Sequence, residues 1–160
     1  MEFRPRRALA LLSDGDVRFV VVGGIAAGML GSLRETTDLD VLVDRSRDNL
    51  VRLALVLTEL GAKVKGSRNA AVPIAPDLLE SMNLVTFETN LGEIDVLMVG
   101  KGDWTYEQVV GAAETVDIAG SPIQLISVDD LIAMKRAAGR PKDLETAAEL
   151  EALQSLRPPD

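Results

Sequence analysis

A near-continuous apolar strand that ends in two glycines, followed thirteen residues later by a pair of aspartates, constrains this chain more than any other feature. The stretch reads FVVVGGIAAGMLGSLRETTDLDVLVD, from Phe19 to Asp44. A strand as apolar as Val17–Val22 is buried on both faces, so helices must cover the sheet that contains it. Small residues over Gly24–Leu33 read as a short helix, and Leu39–Val43 as a second strand. Asp38 and Asp40 stand two apart at its mouth, so their side chains leave the same face. Two carboxylates this close repel, and the repulsion falls when a divalent cation bridges them. A helix cap or a solvated strand end accounts for one such carboxylate, not for two on one face.

The remaining elements are legible by pattern. A first amphipathic helix covers about Arg6–Leu12 and stops at SDGD. Asp44 or Ser46 can cap a helix running to about Leu60, with Gly61 as its stop. The segment 66–78, GSRNAAVPIAPDL, has the composition of a loop. NLVTFET and GEIDVLMVG read as antiparallel strands joined by a tight turn at Asn90–Gly92. A short helix near Tyr106–Ala113 precedes two strands at Glu114–Ile118 and Ile123–Leu125. Ser127 with Asp130 three residues on matches a capping pattern, which starts a helix that Gly139 stops. Pro141 suits the first turn of a last helix, and RPPD a frayed end. The expected architecture is one α+β domain over 1–160, its mixed, mostly antiparallel sheet covered by helices. Its first helix lies at 4–13, its core at 17–126 and its C-terminal helices at 127–156.

Composition narrows the chemistry. Histidine and cysteine are both absent, which removes Ser-His-Asp and Cys-His nucleophiles and the usual zinc ligands. Any metal must be held by oxygen, which favours Mg²⁺ or Mn²⁺. The net charge is −8, with 11 acids and 11 bases in residues 1–80 against 14 and 6 in residues 81–160. With few aromatics besides, general DNA binding is not expected, although Arg4, Arg6 and Arg7, or Lys63, Lys65 and Arg68, could form a local basic patch. No apolar run approaches membrane-spanning length, and the N-terminus lacks a cleavable leader pattern. A cytoplasmic protein without membrane association is expected.

A third carboxylate, Asp95, lies in GEIDVLM between Ile94 and Val96. If its apolar neighbours face the core and its strand adjoins Leu39–Val43, Asp95 points toward Asp38 and Asp40. Glu93 shares that face, but beside Gly92 it reads as a solvated turn residue. The glycines match no dinucleotide fingerprint, since Ala26 follows Gly24 at the second position, and no P-loop, since Met29 follows Gly28. Gly23–Gly24 could let a phosphate approach the backbone, or could be a tight turn and nothing more.

Taken in order, Gly23–Gly24, Asp38-Leu39-Asp40 and the later Asp95 strand resemble the signature of the DNA polymerase beta-like nucleotidyltransferase superfamily. Within it, GGIAAGMLGSLRETTDLDVLV, TNLGEIDVLM and LISVDDLIAMKRAAGRPKDL are similar to bacterial AbiEii- and MenT-type toxins, a likeness spanning Phe19 to about Leu150. The resemblance implies a small nucleotidyltransferase fold and a Mg²⁺- or Mn²⁺-dependent transfer of NMP from an NTP to an acceptor hydroxyl, with pyrophosphate release. It implies that Asp38, Asp40 and Asp95 are the metal-binding catalytic residues, and that Gly23, Gly24, Arg34, Thr37 and Lys135 contact the nucleotide. For Asp143 a salt bridge or cap is the expected role; for Arg140 the roles stay open. The acceptor could be tRNA, a protein or a small molecule, and an antitoxin protein is among the implied partners. An NTP-binding regulatory protein of the same fold, without turnover, is the alternative, as is a subunit whose acidic half docks a basic partner.

Overall fold

The computed structural model describes residues 2–67 and 73–157. Its centre is a mixed sheet of seven strands among the described residues: β1 (Phe19–Val22), β2 (Asp38–Val43), β3 (Lys63–Val64), β4 (Leu84–Thr89), β5 (Gly92–Leu97), β6 (Glu114–Ile118) and β7 (Ser121–Leu125). The strand order is β3-β4-β5-β2-β1-β7-β6. Neighbours run antiparallel except for β2 with β5 and β1 with β7. Among the described residues seven helices accompany it: α1 (Pro5–Asp14), α2 (Gly23–Met29), α3 (Arg47–Glu59), α4 (Pro76–Glu80), α5 (Tyr106–Val110), α6 (Val128–Ala138) and α7 (Pro141–Ser155).

The apolar strands are central, as their composition requires. All four residues of β1 are buried, and so are Leu39, Val41, Leu42 and Val43 of β2. Leu9 and Leu12 of α1 and Leu50, Leu53 and Leu57 of α3 complete the core. No helix among the described residues is long and apolar enough to cross a membrane.

Two elements depart from expectation within 61–80. The edge strand β3 is two residues long, too short to show a period, and its Lys63 and Val64 pair with Glu88 and Phe87. The expected loop 66–78 contains the start of α4, where Pro76 occupies the first helical position and Leu79 is buried. Residues 68–72 of that loop lie outside the described part of the chain, as do 158–160 of the frayed end. Helix α2 stops at Met29, earlier than expected, because the chain turns at Gly31 with φ +114°.

The connection from β2 to α3 rests on Asn49, which is fully buried. Its Nδ2 donates to the carbonyls of Arg18 (3.0 Å) and Asp44 (2.8 Å), and its Oδ1 accepts from the Arg18 N–H at 2.7 Å. Outside this, Arg18 Nε donates to Asp44 Oδ2 at 2.7 Å and Nη2 to Ser46 Oγ at 2.7 Å. Asn49→Leu would leave the Arg18 N–H and the Asp44 carbonyl, both partly buried, without these bonds, while the Arg18 carbonyl keeps its bond from the Asp44 N–H; we expect a loss of about 2–3 kcal/mol. That corresponds to a melting temperature lower by about 4–12 °C in a thermal scan. The half-exposed Arg18→Gln should stay within about 1 kcal/mol of wild type.

Candidate active site

Parallel pairing of β2 with β5 sets Asp40 opposite Asp95 and Asp38 opposite Glu93. On the other side of β2, Val22 at the end of β1 pairs with Asp40. The three aspartates therefore share one sheet face, and each offers a carboxylate oxygen within 4.8 Å of the others. Asp95 Oδ1 is buried and has no hydrogen-bond partner among the described residues. Buried polar atoms are seldom left so, and an acceptor oxygen among carboxylates calls for a cation or a proton.

The electrostatics follow. Burial pushes the Asp38 carboxyl above its ordinary range, reinforced by hydrogen bonding and repulsion with Asp95. Asp40 is pushed up to about 8, first by burial, then by its hydrogen bond with Asp95 and the charges of Asp38 and Asp95; nearby Lys135 pulls the other way. Without a metal the cluster thus holds a proton at neutral pH, and a divalent cation would displace it.

The double glycine is a packing requirement of this cluster. Gly23 has φ +70°, and a Cβ there would lie 1.9 Å from Asp40 Oδ2. A Cβ at Gly24 would lie 2.8 Å from Thr36 Oγ1, and that hydroxyl donates to Asp38 Oδ1 at 3.3 Å. Any side chain at either position would displace a carboxylate or its support.

These residues line a cavity of about 620 Å³. Its opposite wall comes from α6 and α7, where Lys135 Nζ lies 3.5 Å from Asp143 Oδ1. Arg140 grips the same carboxylate with two bonds, Nε to Oδ2 at 2.6 Å and Nη2 to Oδ1 at 3.2 Å. Asp143 is buried. Burial opposes its ionisation, but the bonds from Arg140 and the charge of Lys135 prevail and hold its pKa below the ordinary carboxylate range. Lys101 and Lys142 also line the cavity and form no ion pair among the described residues.

Of the residues expected from the sequence, Gly23, Gly24, Arg34, Asp38, Asp40, Asp95 and Lys135 all line this cavity. Arg34 is ion-paired with Glu145 of α7. Thr37 is exposed and lies outside the lining; Thr36 lines it instead. The missed signal was parity, because Thr36, Asp38 and Asp40 alternate onto one face and Thr37 falls on the other. Glu93 leaves the site, pairing with Lys65 at 2.7 Å. Asp143 forms the expected salt bridge, yet it does so inside the cavity. Lys101, Lys142 and Ser32 carry no motif by which they could have been found.

The loop ahead of β2 is clasped by α7. Ser32 Oγ donates to Glu149 Oε1 at 2.5 Å, and the Leu33 N–H donates to Glu149 Oε2 at 3.3 Å.

A raised Asp40 pKa means that the native state keeps this proton to higher pH than the unfolded chain does. Metal-free stability should therefore fall as pH rises from about 4 to about 8. Asp40→Asn should raise metal-free stability by about 1–2 kcal/mol at pH 8 and hardly at all at pH 4, read by thermal or urea unfolding. Added Mg²⁺ should stabilise the wild type and not the variant.

No protein-family model matches the chain, and no curated protein matches it. Solved structures do. The antibiotic-resistance factor ANT(2″)-Ia in solution superposes with a TM-score of 0.56 at 18% identity, over 93% of this chain and 86% of that one. A crystal structure of ANT(2″)-Ia with adenylyl-2″-tobramycin gives 0.55 at 17% identity, covering 92% and 91%. A candidate nucleotidyltransferase from Thermotoga maritima gives 0.53 at 16% identity, covering 95% and 91%. Likeness at these identities is likeness of fold, and the fold of this chain is that of the nucleotidyltransferases.

Proposed function

We propose that this protein is a metal-dependent nucleotidyltransferase that moves NMP from an NTP to an acceptor hydroxyl and releases pyrophosphate. The observation that carries the reading is the convergence of Asp38, Asp40 and Asp95 around the unpartnered, buried Asp95 Oδ1. Oxygen-only donors of this charge fit Mg²⁺ or Mn²⁺, with Asp38, Asp40 and Asp95 as the ligands. Such ions, when bound, neutralise the carboxylates and the triphosphate and lower the pKa of an acceptor hydroxyl.

The chain's own residues divide the remaining work. Gly23 and Gly24 present backbone without side chains to the cavity, giving the triphosphate a close approach. Lys135, Arg140 and Lys142 supply positive charge from the α6–α7 wall, and Lys101 adds another lining cation. In the transfer, the acceptor oxygen bonds to the α-phosphorus as the bond from that phosphorus to the β-phosphate oxygen breaks. The hydroxyl proton passes to the Asp95 carboxylate, and pyrophosphate leaves. Asp143 acts as a positioning residue, fixing Lys135 and Arg140 in the wall.

The sequence resemblance to AbiEii- and MenT-type proteins supports a biological role as the toxin of a toxin–antitoxin pair, ATP being one of the NTPs to assay. Relief of growth arrest on co-expression with a neighbouring antitoxin-like gene would support that role, and absence of any arrest would end it.

Two measurements test the activity. At ligand about 100 times its Kd, binding to the native state alone adds roughly 2.7 kcal/mol. At about 2–4 °C per kcal/mol, Mg²⁺ with the correct NTP should raise the melting temperature by about 5–11 °C. Either component alone should do much less. A shift without pyrophosphate release from any acceptor pool would favour a regulatory NTP-binding protein.

Asp38→Asn, Asp40→Asn and Asp95→Asn should each lower transfer by about a hundredfold or more while remaining folded. Undiminished turnover in any one would remove that residue from the metal site.

A further inference from the structure

The transferase reading leaves the second substrate unplaced. A second cavity, of about 390 Å³, shares Gly24, Arg34 and Thr36 with the first and so adjoins the carboxylate site. Leu9, Ile25 and Met29 give it an apolar wall, and Arg6 from the first turn of α1 completes it. At Gly28, another lining residue, an added Cβ would meet nothing within 4 Å, so the space there is open.

The charge at this cavity runs against that of the chain. The protein carries 25 acidic and 17 basic residues, yet Arg4, Arg6 and Arg7 are exposed and form no ion pair among the described residues. Arg34, the second guanidinium of the cavity, is ion-paired with Glu145 alone among the described residues, and both side chains of that pair are substantially exposed. Exposed pairs of this kind are weak and exchange readily for a better anion. Guanidinium groups pair bidentately with phosphate oxygens, which makes phosphate the anion they favour. The apolar wall suits a sugar or base ring. A polycation such as an aminoglycoside would instead meet like charge at both arginines.

Resting on the transferase reading, we infer that this second cavity is the acceptor subsite. Its acceptor carries a phosphate close to the reacting hydroxyl, held by Arg6 together with Arg34. In the reaction the hydroxyl oxygen bonds to the α-phosphorus of the NTP and pyrophosphate departs. The hydroxyl proton goes to the Asp95 carboxylate, and the acceptor's own phosphate is unchanged. A free nucleotide and the end of a nucleic-acid strand both present this chemistry.

The test uses the full chain and two probes in parallel, a short oligoribonucleotide with a free terminal hydroxyl and a nucleoside monophosphate. Binding is measured without NTP at two salt concentrations, with tobramycin as the polycationic control. We expect at least one phosphate probe to bind, with affinity falling as salt rises. Arg6→Glu should weaken it about tenfold and flatten the salt dependence. The same variant should raise the acceptor KM about tenfold while the Mg-NTP melting shift and the KM for NTP stay at wild-type values. Binding by the oligoribonucleotide alone identifies a strand end, and binding by both identifies the nucleotide as sufficient.

Equal probe affinity in Arg6→Glu and wild type overturns the inference, as does binding of tobramycin with neither phosphate probe bound. Probe binding that depends on Arg6 but is unaccompanied by any Mg-NTP stabilisation overturns the transferase reading and the acceptor role with it, leaving a phosphate site.

Discussion

Three carboxyl groups gathered on one face of a buried sheet are the constraint around which this molecule is arranged. The gathering depends on one register, Asp40 opposite Asp95 across the parallel β2–β5 pair. A slip of one residue would turn the aspartates into the core and Leu39 and Ile94 out of it. That register is fixed from both sides. β5 is tied to β4 through six consecutive pairs, and β2 to β1 through four. The site lies at the middle of the sheet, where strands are least free to slide.

Around the carboxylates the charges alternate in depth. Lys135 lies near both Asp40 and the buried Asp143, and Arg140 holds Asp143 with two hydrogen bonds. The effect is a cation pre-set in the wall by a carboxylate that solvent does not reach. Such preorganisation removes rotamer freedom that a solvent-exposed lysine would otherwise keep. It also sets the buried Asp143 apart from the partly buried Asp95. Asp143 is satisfied by its partners, whereas Asp95 retains an oxygen with none.

The sequence made the strands and the carboxylates readable because both depend on short-range rules. Apolar runs marked β1 and β2, alternation placed Asp38 and Asp40 together, and Ser127 with Gly139 bounded α6 as its capping pattern required. What escaped depended on contacts between distant residues. Asn49 looks like any polar residue of an amphipathic helix, and only the fold reveals three hydrogen bonds to chain entering β1 and leaving β2. Gly23 read as a turn or a phosphate cradle, whereas its nearest constraint is Asp40, seventeen positions on. Thr36 and not Thr37 stands in the cavity wall, as the two-residue period of β2 requires when it is carried ahead of the strand.

The clasp from α7 onto the loop ahead of β2 has an implication for how the protein comes into being. Ser32 and Leu33 find their acceptor in Glu149, and Arg34 finds its partner in Glu145, more than a hundred residues later. Lys135 and Arg140 likewise await Asp143. A nascent chain can therefore assemble its sheet and bring its aspartates together while the wall that faces them is still inside the ribosome. Of the described elements, the one synthesised last is thus the one that completes the wall of the cavity.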